Sequence, residues 1–247
     1  MVITGRGTRS MLRAAAGRLT RTDGHGRGAL AAFGALAAAD LLATAAGPRG
    51  SRGPGSPRGL RRAAKPLLMP ALAVHALRRD PRAPKPLLAG LACATVGDTA
   101  LLADRHRPAF LLGMAAFLGT QLSYTAGYLR LGALDGLRRR PLAAAGCLAG
   151  WAAVNAALSP ALDRQLRLPV AGYSLALTVM GVAALGVGGA VGAGAAAFLG
   201  SDLLIGLQQA GLAFPSQETL IMAGYLLGQY LITTGWLDLA AADAATA

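Results

Sequence analysis

The chain has 247 residues, 54% of them hydrophobic and only 14% charged, with a mean hydropathy of +0.47. A soluble domain of this length carries about a quarter charged residues, which excludes an ordinary water-soluble fold, and the continuous apolar runs exclude barrel strands that alternate every second residue, leaving an all-α polytopic transmembrane helical bundle. The net charge of +13 raises nucleic acid as a partner, but the basic residues are spread over successive loops with few aromatics beside them, the pattern of helix flanks that meet anionic headgroups.

Residues 1–28 hold six arginines and one aspartate and are expected to form a basic, disordered, cytoplasmic tail. The first apolar run, 29–47, has a basic lead too long for a signal peptide and is interrupted by Asp40, although Ala43-Thr44-Ala45 resembles a cleavage site; it is read as helix 1. A Pro/Gly/Arg-rich linker over 48–62 gives way to Lys65-Pro66, where proline suits a first helical turn. Helix 2 takes about 60–77 and stops at Arg78-Arg79-Asp80-Pro81. Helix 3 is the run 86–103, and after a polar break helix 4 covers 109–131 with Gln121, Ser123, Tyr124 and Tyr128 inside it. Arg138-Arg139-Arg140-Pro141 opens helix 5, which reaches Leu158 and contains Trp151 and Asn155. Helix 6 spans 168–187 with Tyr173, a glycine cluster at 186, 188, 189, 192 and 194 turns the chain into helix 7 (191–208), and helix 8 takes 217–239 after the polar turn at Pro215-Ser216. Eight spans thus make one transmembrane domain over 29–240, followed by a short tail at 241–247. Lysine and arginine are slightly more numerous on the side of the N-terminus, which places that terminus in the cytoplasm of a cell whose plasma membrane holds the chain.

Two of these runs carry a carboxylate near their middle: Asp98 after Gly97 in helix 3, and Asp202 after Gly200-Ser201 in helix 7. An aspartate at the centre of a membrane helix costs about 3 kcal/mol, so it persists only by facing protein, finding a partner or staying protonated. Both are candidate catalytic residues. Gly119-Thr120-Gln121 follows the first and Gly228-Gln229 the second, at 23 and 27 residues from aspartate to glutamine. This faint repetition suggests two four-helix parallel repeats, with an axis along the membrane normal. Tyr124, Tyr173, Tyr225 and Gln229 lie within apolar runs and either glue helices together or line a pocket, while Gln121 and Asn155 lean towards glue. Lys65 and Arg130 read as flanking charges or phosphate contacts, and Asp40, lacking the glycine context, is a weaker site residue. The candidate substrate-binding set is therefore Lys65, Tyr124, Tyr173, Tyr225, Gln229, Gln121 and Asp40. Cys93 and Cys147 fall inside apolar runs and are not expected to pair. His25, His75 and His106 show no ligand spacing, so no metal and no cofactor is expected.

Lys65-Pro66, Gly97-Asp98, the helix 4 run with Tyr124, Ser201-Asp202-Leu203-Leu204 and Tyr225-Leu226-Leu227-Gly228-Gln229 occur in an order that resembles the YhhN-like family of lysoplasmalogenases. The resemblance covers about 29–239. It implies an eight-span hydrolase that cleaves the vinyl ether bond of lysoplasmalogens to a fatty aldehyde and glycerophosphoethanolamine or glycerophosphocholine, with a lysophospholipid substrate and membrane lipid as partners. Gln121 departs from it, since many relatives are expected to carry histidine there. The chemistry suits two buried acids: protonation of the carbon beta to oxygen gives an oxocarbenium ion, which water captures as a hemiacetal, so a proton donor and a base are both needed. Intramembrane acids, glycine-rich helices and a two-fold repeat also fit a small proton-coupled transporter or a lipid-binding membrane protein, and that is the alternative.

Overall fold

A computed structural model describes residues 26–46, 56–103, 106–161 and 164–246. The tail 1–25 and most of the linker lie outside them. Among the described residues the chain forms nine α-helices and no strand: α1 (Arg27–Ala45), α2 (Pro57–Arg79), α3 (Lys85–Ala100), α4 (Arg107–Arg130), α5 (Ala133–Arg138), α6 (Pro141–Leu158), α7 (Arg164–Val187), α8 (Gly189–Gln209) and α9 (Gln217–Thr246). Seven of them, all but α2 and α5, are long and apolar enough to cross a membrane, and the protein is an integral membrane protein. Exposed leucines such as Leu142 and Leu168, more than 80% accessible, supply the lipid-facing surface that a soluble fold would hide.

Eight long helices match the eight expected runs, and the differences lie at their ends. The linker reading ran to residue 62, but α2 begins at Pro57, because Ser56 caps it: its hydroxyl accepts from the Gly59 amide at 3.1 Å, with Pro57 in the first turn. Pro66 therefore sits inside a helix with Pro70, and does not start one. Expected as loop, 133–138 is the short helix α5. The last helix continues past Leu239 to Thr246, since an alanine-rich run has the highest helix propensity available, so most of the expected tail is helical.

The chain divides into two compact units, residues 1–117 and 118–247, with the division falling inside α4. In the first unit, α2 packs on α1 and on α3. α2 carries six cations, at 58, 61, 62 and 65 towards its start and at 78 and 79 at its end, yet Ala64, Leu68, Met69, Leu72 and Ala76 on it are fully buried. It is the core of its unit, and its one buried lysine needs a buried partner.

In the second unit, α8 packs on α7 and α9, and α7 also carries α5 and α6. The α7–α8 turn is made by Gly188 at φ 80°, ψ −163° and Gly189 at φ 56°, conformations that L side chains rarely adopt. Of the glycine cluster, Gly192 and Gly194 instead lie within α8. Gly194 meets Gly228 of α9 so closely that a Cβ at either would stand 2.8 Å from the other's carbonyl oxygen, the small-residue contact by which membrane helices approach. Outermost is α6, with no buried residue. Trp151 Nε1 donates to Ser174 Oγ at 3.0 Å and Asn155 Nδ2 reaches the same oxygen at 3.3 Å, so Asn155 joins helices as expected.

Candidate functional site

The first unit gathers an ionic cluster. Asp98 on α3 and Lys65 on α2 are both buried, and Nζ stands 3.6 Å from Oδ1. Lys65 is thus no flanking charge. Its ammonium is the counter-ion of the intramembrane carboxylate. Arg61, one turn earlier on the same face of α2, places Nε 3.8 Å from Oδ1 of Asp40 on α1, and the charge of Lys65 acts on Asp40 as well. Asp40 is fully buried, and neither its carboxylate oxygens nor Arg61 Nε makes a hydrogen bond. Charge alone holds that contact. Two cations therefore answer two carboxylates on three packed helices, an arrangement that survives burial because it is neutral as a set.

The second unit gathers an uncharged network around the other aspartate. Asp202 Oδ2 on α8 accepts from the Tyr173 hydroxyl of α7 at 3.1 Å. Gln121 of α4 acts on that same hydroxyl, although neither of its amide atoms has a partner in hydrogen-bonding geometry. One turn on, the Tyr124 hydroxyl donates to Gln229 Oε1 of α9 at 2.7 Å. Trp236 lies against both Tyr124 and Tyr128, with ring centroids 6.0 and 5.0 Å away. Tyr225, one turn before Gln229, meets Phe198 edge-on at 5.4 Å. Among the described residues no cation pairs with Asp202.

The nine candidates thus fall into two groups: Asp40, Lys65 and Asp98 in one unit, and Gln121, Tyr124, Tyr173, Asp202 and Gln229 in the other, with Tyr225 beside them. The sequence model of the YhhN family matches residues 60–236, which is most of the chain. The chain belongs to the YhhN family. No curated protein and no solved structure matches it. The YhhN match begins in the first turns of α2, just before Arg61 and Lys65, and ends at Trp236, so it contains both groups except Asp40.

The sequence did not mark Arg61, Tyr128 or Thr233 as site residues, though Tyr128 packs on Trp236 and the hydroxyls of Tyr128 and Thr233 are buried without a hydrogen-bond partner. Arg61 was hidden by the linker reading; once α2 is extended, its spacing of four from Lys65 puts both on one face. Tyr128 and Thr233 stand four residues after Tyr124 and Gln229, a spacing that marks a shared helix face.

Proposed function

We propose that this YhhN protein is a membrane hydrolase that cleaves the vinyl ether bond of lysoplasmalogens, lysoplasmenylethanolamine or lysoplasmenylcholine, with Asp98 and Asp202 as its catalytic residues. The observation that carries the reading is the unlike company of the two aspartates: an ammonium beside Asp98, a phenol beside Asp202. A buried carboxylate needs a counter-charge, whereas a buried carboxylic acid needs only hydrogen-bond partners. Asp202 accordingly serves as the proton donor and Asp98 as the carboxylate.

The proton passes from Asp202 to the alkenyl carbon beta to the ether oxygen, and the positive charge develops on the adjacent carbon and that oxygen. The reading requires Asp98 to face the same substrate, where its carboxylate would stabilise this cation and take a proton from the water that attacks it. As the hemiacetal collapses, the ionised Asp202 takes the proton of its hydroxyl and the protonated Asp98 gives its proton to the departing glycerol oxygen, which yields fatty aldehyde and a free glycerol hydroxyl and restores both aspartates; the balance is one water consumed and no net proton. Tyr173 orients Asp202, and Lys65 holds Asp98 in place. The slight excess of lysine and arginine on the N-terminal side supports a cytoplasmic N-terminus, in a protein of the plasma membrane.

The test is fatty aldehyde release from a lysoplasmalogen by the full-length protein purified in detergent, beside Asp98→Asn and Asp202→Asn. Both variants keep size and lose the acid, and a drop of about 10²- to 10⁴-fold is expected for a lost acid or base. If folded wild-type protein releases no aldehyde from any lyso-ether lipid, the hydrolase reading falls. Movement of lysolipid across sealed vesicles without covalent change would put transport in its place.

A further inference from the structure

Facing stripes of α4 and α9 carry more hydrogen-bonding capacity than they use. Gln121, Tyr124 and Tyr128 lie on one face of α4, and Gln229, Thr233 and Trp236 on one face of α9, pinned together by the bond from Tyr124 to Gln229. Gln121 Nε2 and Oε1, Tyr128 OH, Gln229 Nε2 and Thr233 Oγ1 are all buried and without a hydrogen-bond partner, and all four residues are fully shielded from solvent. In a membrane no lipid tail can satisfy such atoms, so leaving them open is costly unless something polar comes to meet them.

Thr233 departs from the other helical threonines in leaving its hydroxyl unbonded. Thr44, Thr95, Thr99, Thr125, Thr178 and Thr234 each return their hydroxyl to the carbonyl four residues back, at 2.7–2.9 Å. That is the ordinary way for a helical threonine to satisfy itself. Thr233, next in sequence to Thr234, does not. Its hydroxyl is buried and makes no hydrogen bond.

We propose that this seam is a binding subsite for a neutral hydroxyl group, and specifically for the free hydroxyl on the central carbon of the lysolipid glycerol. This rests on the hydrolase reading above, whose substrate class it narrows. The open groups include two amide donors, one amide acceptor and two hydroxyls, so they suit a partner that both donates and accepts, as an alcohol does. They contain no formal charge, so a phosphate placed there would be a desolvated anion without a counter-ion. The seam also adjoins the candidate site, because Gln121 stands close enough to act on the Tyr173 hydroxyl, which donates to Asp202. A diacyl lipid, esterified at that carbon, offers no donor and leaves the seam open; the subsite therefore selects lysolipids.

The test uses the full-length protein in detergent and a saturated 1-O-alkyl lysophosphoethanolamine, which lacks the reactive double bond, beside its 2-deoxy counterpart, in which hydrogen replaces the hydroxyl. Binding is measured by titration calorimetry for wild type, Thr233→Val and Tyr128→Phe, and aldehyde release is measured separately with the vinyl ether lipid. Wild type is expected to bind the hydroxyl lipid at least about tenfold more tightly, because a site built for a hydroxyl rejects the analogue that lacks it. Each variant should lose about three- to tenfold for the hydroxyl lipid and nothing for the deoxy lipid, while unfolding no more easily than wild type, since each removes an unsatisfied atom. Equal binding of the two lipids by wild type overturns the subsite. So does a preference that both variants retain, which would mean water fills the seam. Preference without aldehyde release leaves the subsite standing and the hydrolase reading fallen, and release without preference does the reverse.

Discussion

Replacing Lys65 by methionine keeps the length of the side chain and removes the ammonium that stands against Asp98. The pair is 3.6 Å apart, with side chains 9% and 2% accessible. At that distance and an effective dielectric near 20, the attraction is about 4–5 kcal/mol. Breaking one partner of a buried pair typically costs about 3–5 kcal/mol, so the two lines of reasoning agree. Lys65 also acts on Asp40, and this makes the cycle asymmetric. Lys65→Met leaves two carboxylates under-compensated, whereas Asp98→Asn leaves Lys65 with Asp40 and should cost about half as much. The double variant removes both charges and should recover at least about 2 kcal/mol relative to the sum of the singles. Equilibrium unfolding in mixed detergent micelles, followed by circular dichroism of the helices, measures all four corners. If Lys65→Met costs less than about 1 kcal/mol, or no more than Asp98→Asn, or if the singles simply add, the buried ion cluster does not hold α2 and α3 together.

Three further outcomes follow from packing and hydrogen bonding in the second unit. Gly228→Ala drives a methyl to 2.8 Å from the Gly194 carbonyl oxygen and should destabilise the protein by about 1–3 kcal/mol. Gly200→Ala, with open space at its Cβ, should be neutral or stabilise by up to about 1 kcal/mol, and comparison of their thermal midpoints separates close approach from mere helix propensity. Ser174→Ala removes the acceptor shared by Trp151 and Asn155 and should speed hydrogen exchange in α6 about fivefold, the equivalent of one bond of about 1 kcal/mol, while α8 and α9 exchange as before. Tyr173→Phe takes away the hydroxyl that Asp202 accepts; on the proposed mechanism it lowers kcat for aldehyde release about tenfold or more with KM little changed, and an unchanged kcat would remove Tyr173 from the proton chemistry.

The spans were legible because a membrane leaves helices as the form for long apolar runs, and seven helices carry that signature directly. Where charge and proline interrupt a run the reading lost precision: α2 looked like a linker as far as residue 62 because Arg58, Arg61 and Arg62 masked a capped helix start. Asp98 and Asp202 stood out because a lone carboxylate in an apolar run is expensive, but the cost does not name the partner. Lys65 lies 33 residues from Asp98 and Tyr173 lies 29 from Asp202, and no local spacing joins helices across such intervals. Asp40 was marked down for lacking a glycine before it, a criterion of sequence context; its cation comes from α2 and is visible only when α1 and α2 are packed.

The two units answer the same physical problem in opposite ways, and the difference bears on what each aspartate can do. Asp98 stands beside a lysine and Asp40 beside an arginine. Around Asp202 the polar side chains are phenols, amides and hydroxyls, none of which carries charge at neutral pH. An enol ether must first receive a proton and then have its cation stabilised, and a single kind of environment cannot favour both steps. An uncharged surround lets an acid stay neutral until the substrate arrives, while a fixed carboxylate held by its own counter-ion presents negative charge without reorganising when the cation forms. A glutamine at position 121 is consistent with this division. Its amide cannot take up a proton in competition with Asp202, so on the proposed mechanism the donor role falls to that aspartate.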